Sequence, residues 1–592
     1  MSPHRSLTLR SFIAAVAAFV CTLAPALAQA PEGNAHPQSQ MVSGSAFANP
    51  FGEVASPDRA PATIEQKRDF EAKLDLAPLR DRAVSHNGRI KILDTLARET
   101  VRTITGARLY TDYLPQPSED GNVRLLKVKH DPLFTLIDLI IDPRYYFDNP
   151  LFGVDYLPLR REFIEHEYPQ DERAQDLALR QLRITPTMFA RHVQKLDELH
   201  MGEPSYQQAM AKLHTAVSLW QDSPQNMLLV APPQRDDPWK HIASLPMDHP
   251  ARQAALALGK AWRELDATAA NAAIVQLATV LPTINPEVYP TTRRSLESFY
   301  NRLNAFEWGF WAYALSFITL LLAFGTGRSW LSWLGTLFFL VGIAMHATGF
   351  TARCLIAERF AIQNQFESMT GVSLFAAIVG LVIMVAKRQW LYGAAAAGVG
   401  FLVLVTATQT NIPGQNIERE AAILNTSVLL KYHVTTVLVS YGLIALGFII
   451  SCFYLATHYI AKVRSTQPAL AGAPVVAAAL GTGGNASTAR TLSDLDTAQM
   501  TVLQLAFWTL GVCILLGAWW AAHSWGRWWA FDPKETWALI TWIVYLIAIH
   551  LRFTTTGNRG LLTAWLSAVG FVVMLWTYFG VNLLLPGLHA YA

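Results

Sequence analysis

The sequence predicts a mainly α-helical, polytopic membrane protein in which about eight transmembrane helices follow an exported, mostly helical soluble domain. Of its 592 residues, 52% are hydrophobic and only 15% are charged, whereas soluble proteins carry roughly 25% charged residues. Most charges lie before residue 304, and long apolar runs follow them. Seven of the 18 tryptophans stand in residues 519–542. A net charge of +3 without a basic run argues against a nucleic-acid partner.

The first 30 residues have the pattern of a secretory signal peptide. Residues 4–10 carry positive charge, residues 11–23 form a short apolar run, and residues 26–28 offer a small-x-small cleavage site. An uncleaved anchor helix is the alternative, and either outcome exports the chain that follows. Residues 31–61 are rich in Pro, Ala, Ser and Asn and predict a flexible linker.

Residues 62–303 predict the exported helical domain. Helical apolar periodicity recurs in three stretches: 92–104, 177–199 and 251–281. Ser85 or Asn87 could cap the first of these helices. The domain has no nucleophile elbow, P-loop or metal-ligand spacing, so the sequence favours a docking domain over an enzyme domain.

The four cysteines exclude two classes of protein. Cys21 lies in the leader, and Cys354, Cys452 and Cys513 lie in or beside apolar segments. Because there is no CxxC pair, a thiol–disulfide carrier and a zinc site of that type are disfavoured. Because there is no CxxCH, the chain is not itself a c-type cytochrome.

Residues 304–592 contain eight apolar segments, most of which approach the roughly 20 residues that cross a bilayer. The segments are 306–324, 331–350, 371–386, 391–409, 433–457, 503–522, 536–551 and 561–583. The third and seventh are short. The connection 458–500 is rich in small residues and predicts a disordered loop.

Two cues give the same orientation for these spans. If the N-terminal domain is exported, the first span runs from outside to inside. The inner connections then hold an excess of cations: Arg328, Lys387, Arg388, Lys462, Arg464, Arg490, Arg552 and Arg559. The outer loops balance their cations with acids, which agrees with the positive-inside rule. This orientation places residues 519–542, His433 and His589 on the outer face.

The tryptophan-rich loop and its two flanking histidines predict a haem site. Indole offers large, flat apolar faces, and neutral imidazole is a good axial ligand for iron. A planar macrocycle with a central metal, held between His433 and His589, is haem, and we expect haem b. Arg527 and Lys534 could neutralise its propionates. The candidate platform residues are Trp519, Trp520, Trp525, Gly526, Trp528, Trp529, Asp532 and Trp537.

Asp532 could instead orient a side chain or cap the helix that Pro533 and Glu535 favour. The alternative for the tryptophans is an interfacial aromatic belt, which predicts aromatic residues at many span ends and not seven in 24 residues. For His433 or His589 alone, a solvated side chain is the simpler interpretation.

The segment WGRWWAFDPKETWALITW resembles the tryptophan-rich WWD signature of haem-handling membrane proteins. Its DPKETW form is similar to the CcsA family of cytochrome c biogenesis proteins rather than to the CcmC and CcmF relatives. Three further stretches match in the same order, namely residues 364–369, 433–442 and 579–589, and the resemblance covers about 306–592. Residues 88–106 resemble more weakly a segment of exported domains fused to such proteins.

The resemblance implies a role for each histidine. His433 and His589 match the external ligands of haem iron, and His550 matches an intramembrane histidine that receives haem from the inner side. A histidine that snorkels to the interface is the alternative for His550. His346, nearer the outer face, is a possible further site residue. In this family the second inner ligand can come from a CcsB/ResB-type partner, and residues 62–303 contain no such spans.

The implied function is cytochrome c maturation in the bacterial inner membrane. Haem would move to the outer face and be joined through thioethers to the CxxCH of apocytochrome c, as in a holocytochrome c synthase. No catalytic residue is assigned. A haem exporter or chaperone without synthase activity, and a scaffold that binds no haem, are the alternatives.

Overall fold

In a computed structural model, the chain divides into two compact units with their boundary between Arg302 and Leu303. The structure describes residues 49–53, 60–117, 123–199, 203–410, 412, 414–417, 428–466, 485–555, 557–585 and 587. The predicted signal peptide and most of the predicted linker therefore lie outside the described residues.

The N-terminal unit is mainly helical and also contains three short two-stranded antiparallel sheets among its described residues. Its helices are α1 (Ile64–Glu71), α2 (Ala77–Arg80), α3 (Leu93–Thr105), α4 (Pro132–Ile141), α5 (Leu157–Glu167), α6 (Glu172–Arg180), α7 (Pro186–Leu199), α8 (Pro204–Gln221), α9 (Pro250–Glu264), α10 (Ala267–Val280) and α11 (Thr291–Leu303). Its strands are β1 (Ala83–His86), β2 (Arg89–Ile92), β3 (Thr111–Pro117), β4 (Val123–Lys129), β5 (Phe152–Gly153) and β6 (Arg183–Ile184). The pairs are β1–β2, β3–β4 and β5–β6, and helices α5 and α6 lie between β5 and β6 in the chain.

Helix α4 is the centre of this unit, since every one of its residues is buried. It packs on α3 and α9, and Asp138 in its middle is fully buried. Three neighbours satisfy that carboxylate: the Lys67 ammonium at 2.5 Å, Trp262 Nε1 at 2.8 Å and the Tyr146 hydroxyl at 2.8 Å. A buried charge is tolerated when it is paired and hydrogen-bonded in this way.

The predicted cap at Ser85 or Asn87 is wrong, because these residues belong to a β-hairpin. Strands β1 and β2 pair around Asn87-Gly88, and both turn residues have positive φ values, 51° and 70°. Asn-Gly in the left-handed region favours a two-residue hairpin turn. Helix α3 starts after the hairpin at Leu93, and its N-cap Ile92 provides no side-chain hydrogen bond.

Two of the three predicted helical stretches are interrupted. Residues 177–199 contain the end of α6, strand β6 and then α7, with Leu182 at φ 62° between them. Residues 251–281 contain α9 and α10, separated at Leu265, whose φ is 57°. Asp266 then caps α10 by accepting from the backbone N–H groups of Thr268 and Ala269. At Leu265 the apolar periodicity continues through the break because α9 and α10 bury a face in the same core, whereas α6 has no buried residue.

The second unit confirms the prediction of eight spans: among its described residues, eight helices are long and apolar enough to cross a membrane. They are α12 (Ala305–Thr326), α13 (Ser329–Ala357), α14 (Gln365–Lys387), α15 (Trp390–Gln409), α16 (Val428–Thr466), α17 (Asn485–Trp525), α18 (Pro533–Thr554) and α19 (Arg559–Leu575); a π-helix (Trp576–Gly580) and the short α20 (Val581–Leu584) follow directly.

The third and seventh spans are longer than their apolar runs suggested. Helix α14 starts at Gln365, after the side chain of Asn364 accepts a hydrogen bond from the Glu367 N–H. Helix α18 likewise starts at Pro533, after the cap Asp532. Polar residues in the first turns of both helices continue the helix beyond the hydrophobic segment.

The predicted disorder of 458–500 is wrong for the part of that segment that the structure describes. Helix α16 continues to Thr466 and α17 already begins at Asn485. Residues 467–484 lie outside the described residues. The two helices pack along each other, and Gln499 of α17 accepts from Ser451 of α16 at 3.2 Å.

Candidate functional site

The end of the bundle at which α17 ends and α18 begins carries most of the predicted site residues, and we call it the aromatic end. The connection between the two helices is residues 526–532, and Gly526 (φ 71°) ends α17. Asp532 caps α18 in a capping box with Glu535, and its Oδ2 accepts from the Lys534 N–H at 3.2 Å. Asp532 therefore has the capping role, one of the two that its sequence context suggested.

An open apolar groove of about 390 Å³ lies at the aromatic end. Two tryptophans face it, Trp519 at 48% and Trp528 at 61% exposure. The remaining lining residues are Val512, Leu515, Leu516 and Ala518. The structure thus brings two of the predicted platform residues together on an apolar surface.

The other tryptophans of residues 519–542 pack against different neighbours. Trp520 is buried, and its ring meets that of Trp525 with centroids 4.8 Å apart. Trp529 contacts Phe531, with centroids 6.3 Å apart. Trp537 lies on α18 and meets Trp576 of the π-helix at 5.8 Å. These four tryptophans therefore do not line the groove.

His433 lies on the neighbouring helix α16 and does not line the groove. Its Nδ1–H donates to the carbonyl of Cys513 at 2.9 Å. A Cβ on Gly517 would lie only 2.6 Å from the imidazole Cε1, so the ring packs directly on the backbone of α17. Donation by one ring nitrogen to a backbone carbonyl fixes the tautomer, as in metal-ligating histidines. At about 100° per residue, Cys513 and Gly517 lie on the face of α17 that points away from Leu515 and Trp519. The His433 ring and the groove therefore occupy different faces of the same stretch of α17.

The C-terminal segment meets the same end of the bundle. A Cβ on Gly587 would lie 2.7 Å from Asp532 Oδ1 and 3.3 Å from Pro533 Cδ, so Gly587 contacts the start of α18. His589, the second predicted axial ligand, follows two positions later and lies outside the described residues.

The two predicted cations also lie at the aromatic end. Arg527 is exposed in the connection between α17 and α18, and Lys534 is half-buried in the first turn of α18. Both flank the segment that contains Trp528.

His550 lies at the opposite end of α18 from Asp532. At about 1.5 Å per residue, the 17 residues from Pro533 place it roughly 26 Å along the helix. Its side chain is exposed, and Nδ1–H donates to the Leu546 carbonyl at 2.9 Å. Nearby, Arg552 pairs with Asp496 of α17, at 2.6 Å for one of its two contacts. His550 therefore faces away from the bundle.

His346 has a different environment from the other candidate ligands. It is fully buried on α13. Its Nε2–H donates to the Thr370 carbonyl at 2.9 Å, and Nδ1 accepts from the Tyr313 hydroxyl at 3.3 Å. Because both ring nitrogens have partners within the protein, His346 joins α12, α13 and α14.

A buried ion cluster at the aromatic end was not anticipated. Glu367, in the first turn of α14, is fully buried between Arg353 (3.0 Å) and Arg359 (2.7 Å). Arg353 also donates to the carbonyls of Gly414, Gln415 and Asn416, at 2.7–3.0 Å. The cluster ties the segments after α13 and α15 to α14. Charged residues beside apolar runs were the available signal.

Sequence reasoning also missed Gly517 and the Cys513 carbonyl, which receive the His433 ring. Both belong to an apolar run in which no residue stands out chemically. A glycine inside a membrane helix often marks a close helix contact, and that was the one signal available for Gly517.

The fold and this site define a multi-pass helical membrane protein with an aromatic groove and a histidine at one end of its bundle. A family model described as Cytochrome C assembly protein matches residues 303–589. Curated relatives named cytochrome c biogenesis protein CcsA are similar to the chain. The one from Synechococcus sp. (strain WH7803) is 30% identical over 326 residues, which cover 51% of this chain and 94% of the relative.

Two further CcsA proteins show the same level of similarity. That of Synechococcus sp. (strain RCC307) is 32% identical over 40% of this chain and 78% of the relative. That of Porphyra purpurea is 30% identical over 43% of this chain and 84% of the relative. The chain belongs to the cytochrome c assembly family that includes CcsA, which confirms the resemblance, and its role is in cytochrome c biogenesis.

Proposed function

We propose that the protein brings haem b to the outer face of a bacterial inner membrane and joins it to apocytochrome c. Haem is the substrate and binds at the aromatic end, with its iron between His433 and His589. The observation that carries the proposal is that one end of the bundle holds both the tryptophan-lined groove and His433, whose ring packs on the Cys513 and Gly517 face of α17.

The proposed reaction depends on positioning. Each cysteine thiol of CxxCH adds across one vinyl group, so that sulfur bonds to one vinyl carbon and the thiol proton goes to the other. The groove, Trp519 and Trp528 hold the macrocycle by its faces, and Arg527 and Lys534 neutralise its propionates. Holding two reactants in the right geometry can accelerate a reaction by several orders of magnitude, so no general base is assigned. The histidine of CxxCH then replaces one axial ligand, and the product leaves.

The orientation of the membrane unit is part of the proposal. The aromatic end faces outward, where apocytochrome c is available. The opposite end carries Lys387, Arg388, Arg552 and Arg559, which supports a cytoplasmic location. In this orientation the N-terminal unit is exported, where it serves as a docking domain for apocytochrome or a partner.

His550 is proposed as the inner haem ligand, and its position supports the need for a partner. The helix that carries it, α18, has only 17% of its most apolar window buried. Polar side chains that face outward in a membrane are costly unless something covers them. A CcsB/ResB-type membrane protein would cover this face and supply the second inner ligand.

Co-expression with a CxxCH reporter, with and without a CcsB-type partner, tests the proposal. The wild-type chain should yield reporter with covalently bound haem. His433→Ala should abolish this, and added imidazole should restore it in part. His458→Ala is the matched control, because it removes a histidine from the far end of the same helix and should mature the reporter normally.

The outcomes also separate the alternatives. If the purified protein carries haem but the reporter acquires no covalent haem, with or without the partner, the protein is an exporter or chaperone. A purified protein without haem would indicate a scaffold. Normal reporter maturation by His433→Ala would contradict the proposed site.

A further inference from the structure

The β3–β4 hairpin of the N-terminal unit has two outer edges with different chemistry. Its register pairs Thr111 with Lys129, and just beyond that pair the His130 N–H donates to the Tyr110 carbonyl at 3.0 Å. Hydrogen-bonded and non-hydrogen-bonded pairs alternate in antiparallel strands, so the even-numbered residues of both strands carry the hydrogen bonds between them. The N–H and carbonyl groups of the odd-numbered residues therefore point away from the hairpin.

The outer edge of β3 is closed to a further strand. Two of its outward positions are Pro115 and Pro117, which have no N–H to donate. The carbonyl of a third, Thr111, already accepts from Arg183 Nη1 at 3.2 Å. The prolines leave the hairpin itself intact, because its own hydrogen bonds come from the even-numbered residues. This edge lacks the donors that an added strand would need.

The outer edge of β4, in contrast, is open. Leu125, Lys127 and Lys129 direct their backbone N–H and carbonyl groups outward, and the strand contains neither proline nor glycine. No described residue forms a hydrogen bond with these outward groups. An unpaired strand edge is a template for another extended chain. Addition of a strand to such an edge is a recurring mode of peptide recognition.

Buried side chains at the base of the hairpin hold this edge in place. Asp112 of β3 is buried, and its Oδ2 lies 2.9 Å from His130 Nε2 and 2.6 Å from the Tyr145 hydroxyl. Its cross-strand partner Val128 on β4 is buried as well. A template that is already fixed loses little conformational entropy when an extended chain binds to it.

The charge of the β4 edge determines what can occupy it. Lys127 and Lys129 are exposed, and residues 123–129 contain no acidic side chain. In a second copy of this chain the lysines would meet like charges, which destabilises a strand pair. A strand with acidic side chains at alternating positions would meet opposite charges. The edge therefore selects an acidic, extended segment of another polypeptide.

We propose that the outer edge of β4 binds an acidic, extended segment of apocytochrome c as an added strand. A polypeptide that buries too little apolar surface to fold is available in extended form, and a cytochrome chain without its haem is of this kind. The backbones of Leu125, Lys127 and Lys129 supply the hydrogen bonds, and the two ammonium groups select the acidic side chains. This inference rests on the proposed function for the identity of the occupant and deepens it by naming the docking strand.

Hydrogen exchange in the full chain tests the proposal. The probe is a haem-free CxxCH reporter that carries a segment of alternating acidic residues. With saturating reporter, we expect the outward amides of Leu125, Lys127 and Lys129 to exchange at least about tenfold more slowly than in the chain alone. The amides of Leu126 and Val128, which donate to β3, are an internal control and should be protected in both samples.

Leu125→Pro gives the open edge the chemistry of the closed one. It removes one outward N–H and leaves the hydrogen bonds to β3 in place, as Pro115 does on the other strand. We expect the affinity for the reporter to fall at least about fivefold, the factor that one hydrogen bond typically contributes. Leu125→Ala changes the side chain but keeps the N–H, and it should bind the reporter as the wild type does.

Lys127→Glu combined with Lys129→Glu tests the charge selection and keeps every backbone donor. This double variant should lose affinity for the acidic reporter and gain affinity for a reporter in which lysines replace the acidic residues. Lys195→Glu, at an exposed lysine on α7, is the matched control and should change neither affinity. An unchanged preference for the acidic reporter in the double variant would overturn the charge selection.

The failures are distinguishable, because binding of the reporter does not require haem. Protected β4 amides without any covalent reporter haem would support the docking strand and overturn the synthase function. Normal maturation of the reporter with unprotected β4 amides would overturn this inference alone. Protection that is already present in the chain without reporter would place a segment of this chain or a second copy on the edge, and it would also overturn the inference.

Discussion

Helices α14 and α18 begin alike and end in different environments. Each starts at the aromatic end, each is introduced by a capping side chain, and they have 23 and 22 residues. The most apolar window of α14 is 72% buried within the bundle, whereas that of α18 is only 17% buried. Helix α14 is a framework element, and α18 offers most of its surface to lipid, a ligand or a partner.

The polar residues of the two helices follow the same division. Glu367 of α14 is enclosed by two guanidinium groups, and Thr370 of α14 accepts from His346. On α18, Asp532 caps the helix beside the groove, and His550 faces outward. The polar groups of α14 are thus paired inside the bundle, whereas His550 of α18 is exposed.

The framework prediction has the largest expected effect. Glu367→Ala leaves Arg353 and Arg359 buried without their carboxylate, and breaking such a pair costs about 3–5 kcal/mol. Thermal unfolding of the purified protein in detergent should show a marked loss of stability. Asp494→Ala, an exposed carboxylate on α17, should change stability little. Equal effects of the two variants would remove the distinction between framework and surface.

The N-terminal unit also contains a buried cluster of charged side chains. His130 is buried between Asp112 (2.9 Å) and Glu71 (2.5 Å). Burial opposes protonation, but the hydrogen bonds and charges of these two carboxylates prevail and raise the pKa of His130 to about 9. The stabilisation from this raised pKa is complete below about pH 6.5 and is lost as pH rises through about 9, by up to about 3 kcal/mol.

Unfolding of the N-terminal unit, followed in the full chain between pH 6.5 and 9.5, checks this expectation. The wild type should lose stability toward the upper end of the range. His130→Gln should be less stable at pH 6.5 and should show a flatter pH dependence. A wild type whose stability does not fall above pH 8 would show that His130 is not held protonated.

The next largest effect is expected for a groove variant, and it concerns retention of the ligand rather than folding. Trp528→Ala removes one wall of the groove, and loss of such an anchoring aromatic residue typically costs about 2 kcal/mol of binding. Haem retained by the purified protein should fall accordingly, with unchanged thermal stability. Trp333→Ala is the matched control, since Trp333 is 72% exposed on α13 and away from the groove. Equal haem loss in both variants would argue for a general aromatic effect.

His550→Ala should have the smallest effect on the fold, within about 0.5 kcal/mol, as is usual for an exposed position. In cells that contain a CcsB-type partner, however, reporter maturation should fall, because haem does not enter from the inner side. Haem added to the purified variant should still bind in the groove. Unimpaired maturation would contradict the role of His550 at the inner end.

The membrane spans were predictable because length and hydropathy determine them directly. The cap at Asp532 was also within reach, since Asp, Pro and Glu follow each other in the preferred order. The β1–β2 hairpin was not predicted although Asn87-Gly88 is a strong hairpin signal, because Asn before a helical periodicity is also typical of a helix N-cap.

The groove and the packing of His433 on α17 could not be predicted from the sequence. Both depend on the register between helices that are far apart in the chain, and a one-turn shift of α16 against α17 would separate His433 from Gly517. Periodicity indicates which face of a helix is apolar but not which residue of the neighbouring helix lies opposite it. The sequence thus indicated candidate residues, and the packing shows which of the described ones lie at the aromatic end.

The most direct test of the central claim is the absorption spectrum of haem bound to the purified full-length chain. We expect low-spin, six-coordinate haem in the wild type. In His433→Ala we expect this signature to be lost and to return when imidazole is added, whereas His458→Ala should match the wild type. Identical low-spin spectra for the wild type and His433→Ala would contradict the assignment of His433 as a haem ligand at the aromatic groove.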